Sequence, residues 1–279
     1  MKKVAVLFSG GLDSTYLVWK NLNEGNIVYP IYIEIENNIT KTILEKNRIE
    51  LLYKEFYKEF NLVDGKCKIH PIHYAIKVSV QANESSLYFK QMPIWLFSLM
   101  FMQSMDIDEV QIGYVSNDDA VSYIKDLQKI YKSYQAICEP MKPLVFPLIK
   151  TKKIMMIHEL PHQYRELIIS CEGAIIVGDN DAEIVQYEPC CECVPCRTIM
   201  STDYYGTGEY PENYKNGLIQ HHARQLRKLN YKVIDGEGVD YFEKMCKLEH
   251  RKEPYQLRLD FDCLEECDVE YKTEKQNNG

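Results

Sequence analysis

Two short clusters in this chain have residue types and spacings that do chemistry. The first is Ser9-Gly10-Gly11-Leu12-Asp13-Ser14-Thr15, which directly follows the apolar run Val4 to Phe8. A buried strand feeding a glycine turn, with a helix opening at Ser14-Thr15, aims backbone N–H groups and the positive end of a helix dipole at one point. That is a seat for a polyphosphate. Gly10 and Gly11 are expected to take positive φ and let the backbone approach the phosphates closely. No Gly-Lys-Ser/Thr follows, so the turn is not a Walker A loop. The second cluster is Cys190-Cys191-Glu192-Cys193-Val194-Pro195-Cys196-Arg197. Two residues separate Cys190 from Cys193, and two separate Cys193 from Cys196, the spacing of a tight metal knuckle. A tetrahedral structural zinc site needs a fourth thiolate. Cys171 is the best candidate, because it precedes a compact segment returning to the knuckle; Cys191 competes with it.

Other residues stand as weaker candidates. Asn117, Asp118 and Asp119 form an acidic turn that suits either a site or a helix cap. Lys152 or Lys153, at a helix start, is placed to reach an anionic ligand. His70 and His73, three apart, would point to opposite faces of a strand and read as packing or surface. His221 and His222 open a basic stretch with Arg224, Arg227 and Lys228 that reads as a solvated helix face. Cys67, Cys138 and Cys246 read as small core residues. Cys263 and Cys267 offer two ligands only.

The elements that must position these residues alternate. Strands are expected at Val4–Phe8, Ile27–Ile35, Lys68–Tyr74 and Glu109–Val115. Helices are expected at Thr40–Phe60, where Leu44, Leu51, Leu52, Phe56 and Phe60 recur at helical spacing, at Pro93–Met105, and over 122–138. A further helix, Lys152 to Leu160, would be capped by Thr151 and stopped by Pro161. This rhythm predicts an α/β fold with a doubly wound, mostly parallel sheet. In such sheets ligands sit beyond the carboxyl ends of the strands, where both the glycine turn and the Asn117–Asp119 turn would lie. The organisation read from the chain is residues 1–165 for the nucleotide-binding unit, 166–205 for a zinc-binding subdomain, and 206–279 for a C-terminal extension. That extension suits oligomer contacts or a protein partner, with a disordered tail from Lys272 to Gly279.

Composition narrows the classes. At 279 residues with 46% hydrophobic content, the chain is ordinary for a globular protein. A formal net charge of −8 disfavours broad nucleic-acid binding, which needs a basic surface. Lys2-Lys3 leads straight into a strand, so no secretory leader is expected. The apolar stretch Met92–Met102 is too short for a bilayer, so no membrane partner is expected. Ten cysteines without a leader point to reduced thiols and metal in a cytoplasmic protein.

The Ser-Gly-Gly-x-Asp-Ser pattern resembles the PP-loop of the N-type ATP pyrophosphatases, which cut ATP between its α and β phosphates. With the cysteines included, residues 3 to about 200 resemble the QueC family, the 7-cyano-7-deazaguanine synthases. Ile112-Gly113 with its acidic turn, Pro147-Leu148 with Thr151-Lys152, Ser170-Cys171, and Cys190 to Arg197 carry that likeness. Two segments depart from it. Tyr32-Ile33-Glu34-Ile35-Glu36-Asn37 stands where the family has Tyr-Gly-Gln-Arg-His, and Met92-Pro93-Ile94-Trp95 where it has Pro-Ala-Arg-Asn. The interval from Cys171 to Cys190 is also longer than usual, and the chain beyond 200 is extra.

The resemblance implies a Rossmann-like PP-loop fold and an ATP-dependent carbon–nitrogen ligase, forming AMP and pyrophosphate, that adenylates 7-carboxy-7-deazaguanine. It then makes the amide or, with a second ATP, the nitrile of queuosine biosynthesis. ATP would bind at Ser9, Gly10, Gly11, Leu12, Asp13, Ser14 and Thr15, with Mg²⁺ bridging phosphates and Asp13 steering the ion or the loop. Asp13, Asn117, Asp118, Asp119 and Lys152 would serve catalysis or substrate. Zn²⁺ would sit on Cys171, Cys190, Cys193 and Cys196, and a homodimer is implied. A related reading is an antiviral-defence member that joins the activated deazaguanine to an amine on a protein or nucleic acid. Further alternatives are a tRNA-modifying PP-loop enzyme and a non-catalytic nucleotide sensor.

Overall fold

The computed structural model describes residues 1–36, 38–61, 67–79, 91–102, 105–116, 118–137 and 141–198. Cys138, Asn117, the C-terminal extension with its histidines and cysteines, and residues 199–205 of the expected zinc subdomain lie outside these.

The central strand, β1 (Lys3–Leu7), is buried on both faces, with Val4, Ala5 and Val6 fully shielded. A continuous apolar run is what a central parallel strand requires. From it the chain runs through α1 (Leu12–Asn23), β2 (Ile27–Glu36), α2 (Ile39–Phe56), β3 (His73–Ser79) and α3 (Gln91–Leu99). It continues through β4 (Glu109–Gln111), α4 (Ile124–Ser133), β5 (Leu144–Val145), α5 (Lys153–Glu159) and α6 (His162–Arg165). The five strands form one sheet in the order β3-β2-β1-β4-β5, and every pairing is parallel. A small antiparallel pair, β6 (Ile175–Ile176) and β7 (Tyr187–Glu188), stands apart from it.

Helices cover both faces, as the period-two alternation of β1 demands. Val4 and Val6 pack with Leu17, Leu22, Leu52, Phe56, Ile157 and Tyr164 from α1, α2, α5 and α6. Ala5 packs on the other face with Leu96, Leu99, Leu127 and Tyr131 from α3 and α4. The expected doubly wound α/β fold is therefore the observed one. Because β2 and β4 flank β1, the chain reverses its winding direction there, and a crevice opens at the carboxyl ends of β1 and β4.

Several elements differ from expectation for local reasons. The third strand starts at His73, not Lys68. Ile69 makes only an isolated bridge to Val28, and Pro71, lacking an N–H, interrupts the ladder before β3 begins. Strand β4 ends at Gln111, and the backbone then leaves the sheet toward the glycine turn. The helix expected over 122–138 is regular only from Ile124 to Ser133, flanked by 3₁₀ turns. Thr151 does not cap α5: its N–H donates to Leu148 O at 2.8 Å, and Lys152 is the cap, without a side-chain bond. Leu160 takes extended backbone before Pro161, as a residue preceding proline should, and Pro161 caps α6. Cys67 is exposed rather than in the core. Among the described residues no helix is long and apolar enough to cross a membrane.

Candidate functional site

The turn after β1 is built by two glycines with different tasks. Gly10 has φ of +75°, the left-handed region that glycine enters without strain. A Cβ there would also lie 3.2 Å from Ile49 Cγ2 of α2. Gly11 has φ of −76°, so positive φ is confined to Gly10. Gly11 is instead the N-cap of α1, which starts at Leu12 rather than at Ser14. It offers no side-chain oxygen to the first turn.

The hydroxyls of the turn converge. Ser14 Oγ accepts from the Ser9 N–H at 3.3 Å and donates to the Gly11 carbonyl at 3.2 Å, with Ser9 Oγ 3.5 Å away. Ser9, Gly11, Leu12, Asp13 and Ser14 all line a cavity of about 380 Å³ at the crevice. Thr15 is fully buried and lies outside that lining.

Across the cavity, the Val115 N–H donates to Asp118 Oδ2 at 2.9 Å, so the acidic turn is held by its own side chain. The other oxygen, Asp118 Oδ1, faces Lys153 Nζ at 3.6 Å, and Asp13 Oδ2 faces the same ammonium at 3.1 Å. Asp118 thus holds the turn and also lines the cavity. The lysine in the cavity is Lys153; Lys152 is exposed and does not line it. Nothing is described of the Asp119 side chain, and its backbone opens the 3₁₀ turn to Tyr123. Gly113 permits the close approach of β4's exit, since a Cβ on it would lie 3.1 Å from the Asp13 carbonyl oxygen.

This cluster is electrostatically unfinished. Burial is the main cause that pushes the Asp13 carboxyl up to about 6; Asp118 adds to it and Lys153 opposes it. Its Oδ1 is buried with no hydrogen-bond partner. Burial pulls the Lys153 ammonium toward neutrality, but Asp13 and Asp118 outweigh this and leave its pKa raised. A buried carboxylate with an unmet oxygen beside a second carboxylate is a fitting donor set for a hard cation such as Mg²⁺.

The cysteines expected to share a metal are brought together. The Sγ atoms of Cys171, Cys190, Cys193 and Cys196 all lie within 4.8 Å of one another, and Cys190 and Cys196 are 4.0 Å apart. A tetrahedron with metal–sulfur bonds of about 2.3 Å has edges of about 3.8 Å, so the group fits one tetrahedral ion. Backbone N–H groups support the thiolates: Cys190 N–H donates to Cys171 Sγ at 3.2 Å and Cys193 N–H to Cys190 Sγ at 3.4 Å. Cys191 stays outside the group, with φ of +58° and its thiol directed at Pro189 O.

The metal group and the glycine turn are tied to each other. The Ile169 N–H donates to Gly10 O at 2.9 Å, and the Leu12 N–H donates to Ser170 Oγ at 3.5 Å. Ser170 and Glu172, on either side of Cys171, line the cavity, as does Pro195 beside Cys196. The knuckle therefore forms part of the cavity wall.

Residues that sequence reasoning missed complete the site. Tyr32, Lys41, Glu45, Trp95 and Tyr114 also line the cavity. They come from four separate stretches of chain, and no motif links them. Tyr32 and Trp95 do fall in the two segments that depart from the QueC pattern.

No protein-family profile matches this chain, and no curated protein matches it. Solved structures that resemble it include the U34-tRNA thiolase NcsA from Methanococcus maripaludis with its 4Fe-4S cluster. That likeness has 16% identity, 81% of this chain and 72% of that one covered, and a TM-score of 0.36. A predicted subunit of tRNA methyltransferase from Methanocaldococcus jannaschii matches at 16% identity, 77% and 92% coverage, and a TM-score of 0.30. NMN synthetase from Francisella tularensis matches at 14% identity, 84% and 89% coverage, and a TM-score of 0.32. The α/β class follows from the strand order and the switch-point crevice, not from these low-scoring likenesses.

Proposed function

We propose that the chain is a PP-loop ATP pyrophosphatase that adenylates a substrate carboxylate and passes the acyl group to a nitrogen nucleophile. One observation carries this reading. The glycine turn, two facing carboxylates and a half-buried lysine converge on a single cavity at the switch point of the sheet. The substrate we propose is 7-carboxy-7-deazaguanine, on the strength of the QueC resemblance.

The chain's residues would act mainly by positioning and charge. The turn from Ser9 to Ser14 would hold the β and γ phosphates. Lys153 would neutralise charge growing on the phosphate oxygens as the substrate carboxylate oxygen attacks the α-phosphorus. The bond to the β-phosphate bridging oxygen breaks, pyrophosphate leaves, and an acyl adenylate remains. A nitrogen lone pair then attacks the acyl carbon, AMP departs with the bonding electrons, the nitrogen gives up a proton to solvent, and an amide forms. Asp13 and Asp118 would hold Mg²⁺, which supplies neutralisation of the polyphosphate. Cys171, Cys190, Cys193 and Cys196 would hold a structural Zn²⁺.

The test is incubation with Mg-ATP and 7-carboxy-7-deazaguanine, with and without ammonium, followed by mass spectrometry. Amide or nitrile with AMP supports the synthase reading. Because Tyr32 and Trp95 line the cavity and mark the altered segments, a second acceptor is the runner-up. AMP or a trapped adenylate without either product would favour an amine on a macromolecule. Absence of AMP would overturn the reading.

A further inference from the structure

The cavity is lined by two groups of side chains with separate chemistries. At the phosphate end lie the glycine turn, Asp13, Asp118 and Lys153. The second group, which we take as the far half, comprises Tyr32 of β2, Lys41 and Glu45 of α2, and Trp95 of α3. Helix α2 connects the two. Ile49 of α2 packs against Gly10, and Glu45, one turn earlier on the same face, lines the cavity.

Glu45 is held in place there. Tyr32 donates its hydroxyl to Glu45 Oε2 at 3.0 Å, and Lys41 Nζ stands 3.8 Å from Oε1. Lys41 is drawn the other way, to Glu172 Oε2 at 2.6 Å. One tyrosine hydroxyl and one distant ammonium leave most of the acceptor capacity of a carboxylate unused, since its two oxygens accept about four hydrogen bonds. The Glu45 side chain is only 18% exposed. Trp95 also lines the cavity and stands beside Tyr114, their rings 6.2 Å apart. The Tyr114 hydroxyl is buried with no hydrogen-bond partner, a cost that a ligand oxygen would relieve. The oxygens of Glu45 and Glu172 outnumber the single ammonium of Lys41 between them, so a ligand that donates hydrogen bonds suits this wall.

We infer that the far half of the cavity is a specificity subsite for a flat heterocycle with adjacent N–H donors, read by the Glu45 carboxylate and covered by Trp95. Two neighbouring N–H groups meet a carboxylate in the paired geometry that makes such contacts selective. Tyr32 orients the carboxylate, and Tyr114 donates to a ring carbonyl. The inference rests on the reading above to the extent that this ring carries the carboxylate to be adenylated, pointing toward the glycine turn.

The experiment is calorimetric titration of the full chain, without nucleotide, with 7-carboxy-7-deazaguanine and with its analogue lacking the exocyclic amino group. Mg-ATP is titrated separately. Wild-type protein should bind the amino form about 10- to 100-fold more tightly, the worth of a hydrogen bond to a charged group. In Glu45→Gln, whose amide turns one acceptor into a donor, the two rings should bind within about threefold of each other. Should that variant fail to fold, Tyr32→Phe keeps the carboxylate but loosens it, and the gap should shrink there too. An undiminished gap in either folded variant, or equal binding of both rings by wild type, overturns the subsite. So does failure of both rings to bind while Mg-ATP binds normally, an outcome that leaves the phosphate half standing. Discrimination between the rings without Mg-ATP binding supports the subsite and refutes the nucleotide reading instead.

Discussion

Asp13→Asn should stabilise the fold at neutral pH while removing activity. In the folded chain the Asp13 carboxyl is pushed up to about 6 from an ordinary 3.8. A displacement of that size corresponds to about 3 kcal/mol. The sign follows from proton linkage. An acid whose folded-state pKa lies above its unfolded value binds more protons when folded, so stability falls as pH rises from about 4 to about 6. Asparagine mimics the protonated form and does not titrate. In Mg²⁺-free buffer, urea unfolding should show the variant and wild type equally stable below pH 4. By pH 7.5 the variant should be the more stable by up to about 3 kcal/mol. Its AMP formation should fall below detection. A variant less stable than wild type at pH 7.5, or a difference that does not change with pH, would refute the placement of Asp13 in a buried site facing Asp118.

Three shorter predictions follow from the same geometry. Lys153→Met should lower the rate of AMP formation by about 10²- to 10³-fold, whereas Lys152→Met, at an exposed position, should stay within about twofold; steady-state kinetics distinguish them. Gly113→Ala places a Cβ 3.1 Å from a backbone oxygen of Asp13. It should cost about 1–3 kcal/mol and weaken Mg-ATP binding, both measurable by thermal shift with and without nucleotide. Cys193→Ser should reduce bound metal from about one ion per chain, read by elemental analysis. Because Ile169 and Ser170 tie the knuckle to the glycine turn, Mg-ATP affinity should fall with it.

The parts of this molecule legible in its sequence are those where residues close in the chain act together. The glycine turn, its strand and its helix occupy one short stretch, and the three knuckle cysteines another. The parallel sheet was legible because buried strands and amphipathic helices alternate, although β3 slid past Pro71, whose missing N–H outweighed the apolar pattern before it. Lys152 and Lys153 were indistinguishable by type; which one enters the cavity depends on how α5 faces α1. Thr151 illustrates the same limit, since a favourable capping residue was taken into the preceding turn. Glu45 left no trace in the sequence, and Tyr32 stood out only as part of a segment that departs from the QueC pattern. They meet only because β2 and the first turns of α2 fold back on each other, and a tyrosine in a strand looks like core until its hydroxyl is seen on a carboxylate.

The central claim is that a substrate carboxylate attacks the α-phosphorus of ATP in the cavity beside the glycine turn. It is tested most directly by incubating the protein with Mg-ATP, ammonium and 7-carboxy-7-deazaguanine labelled with oxygen-18 in its carboxylate. Acyl adenylation predicts AMP carrying one labelled oxygen, with unlabelled pyrophosphate. Label in inorganic phosphate, production of ADP, or AMP without label would contradict the account.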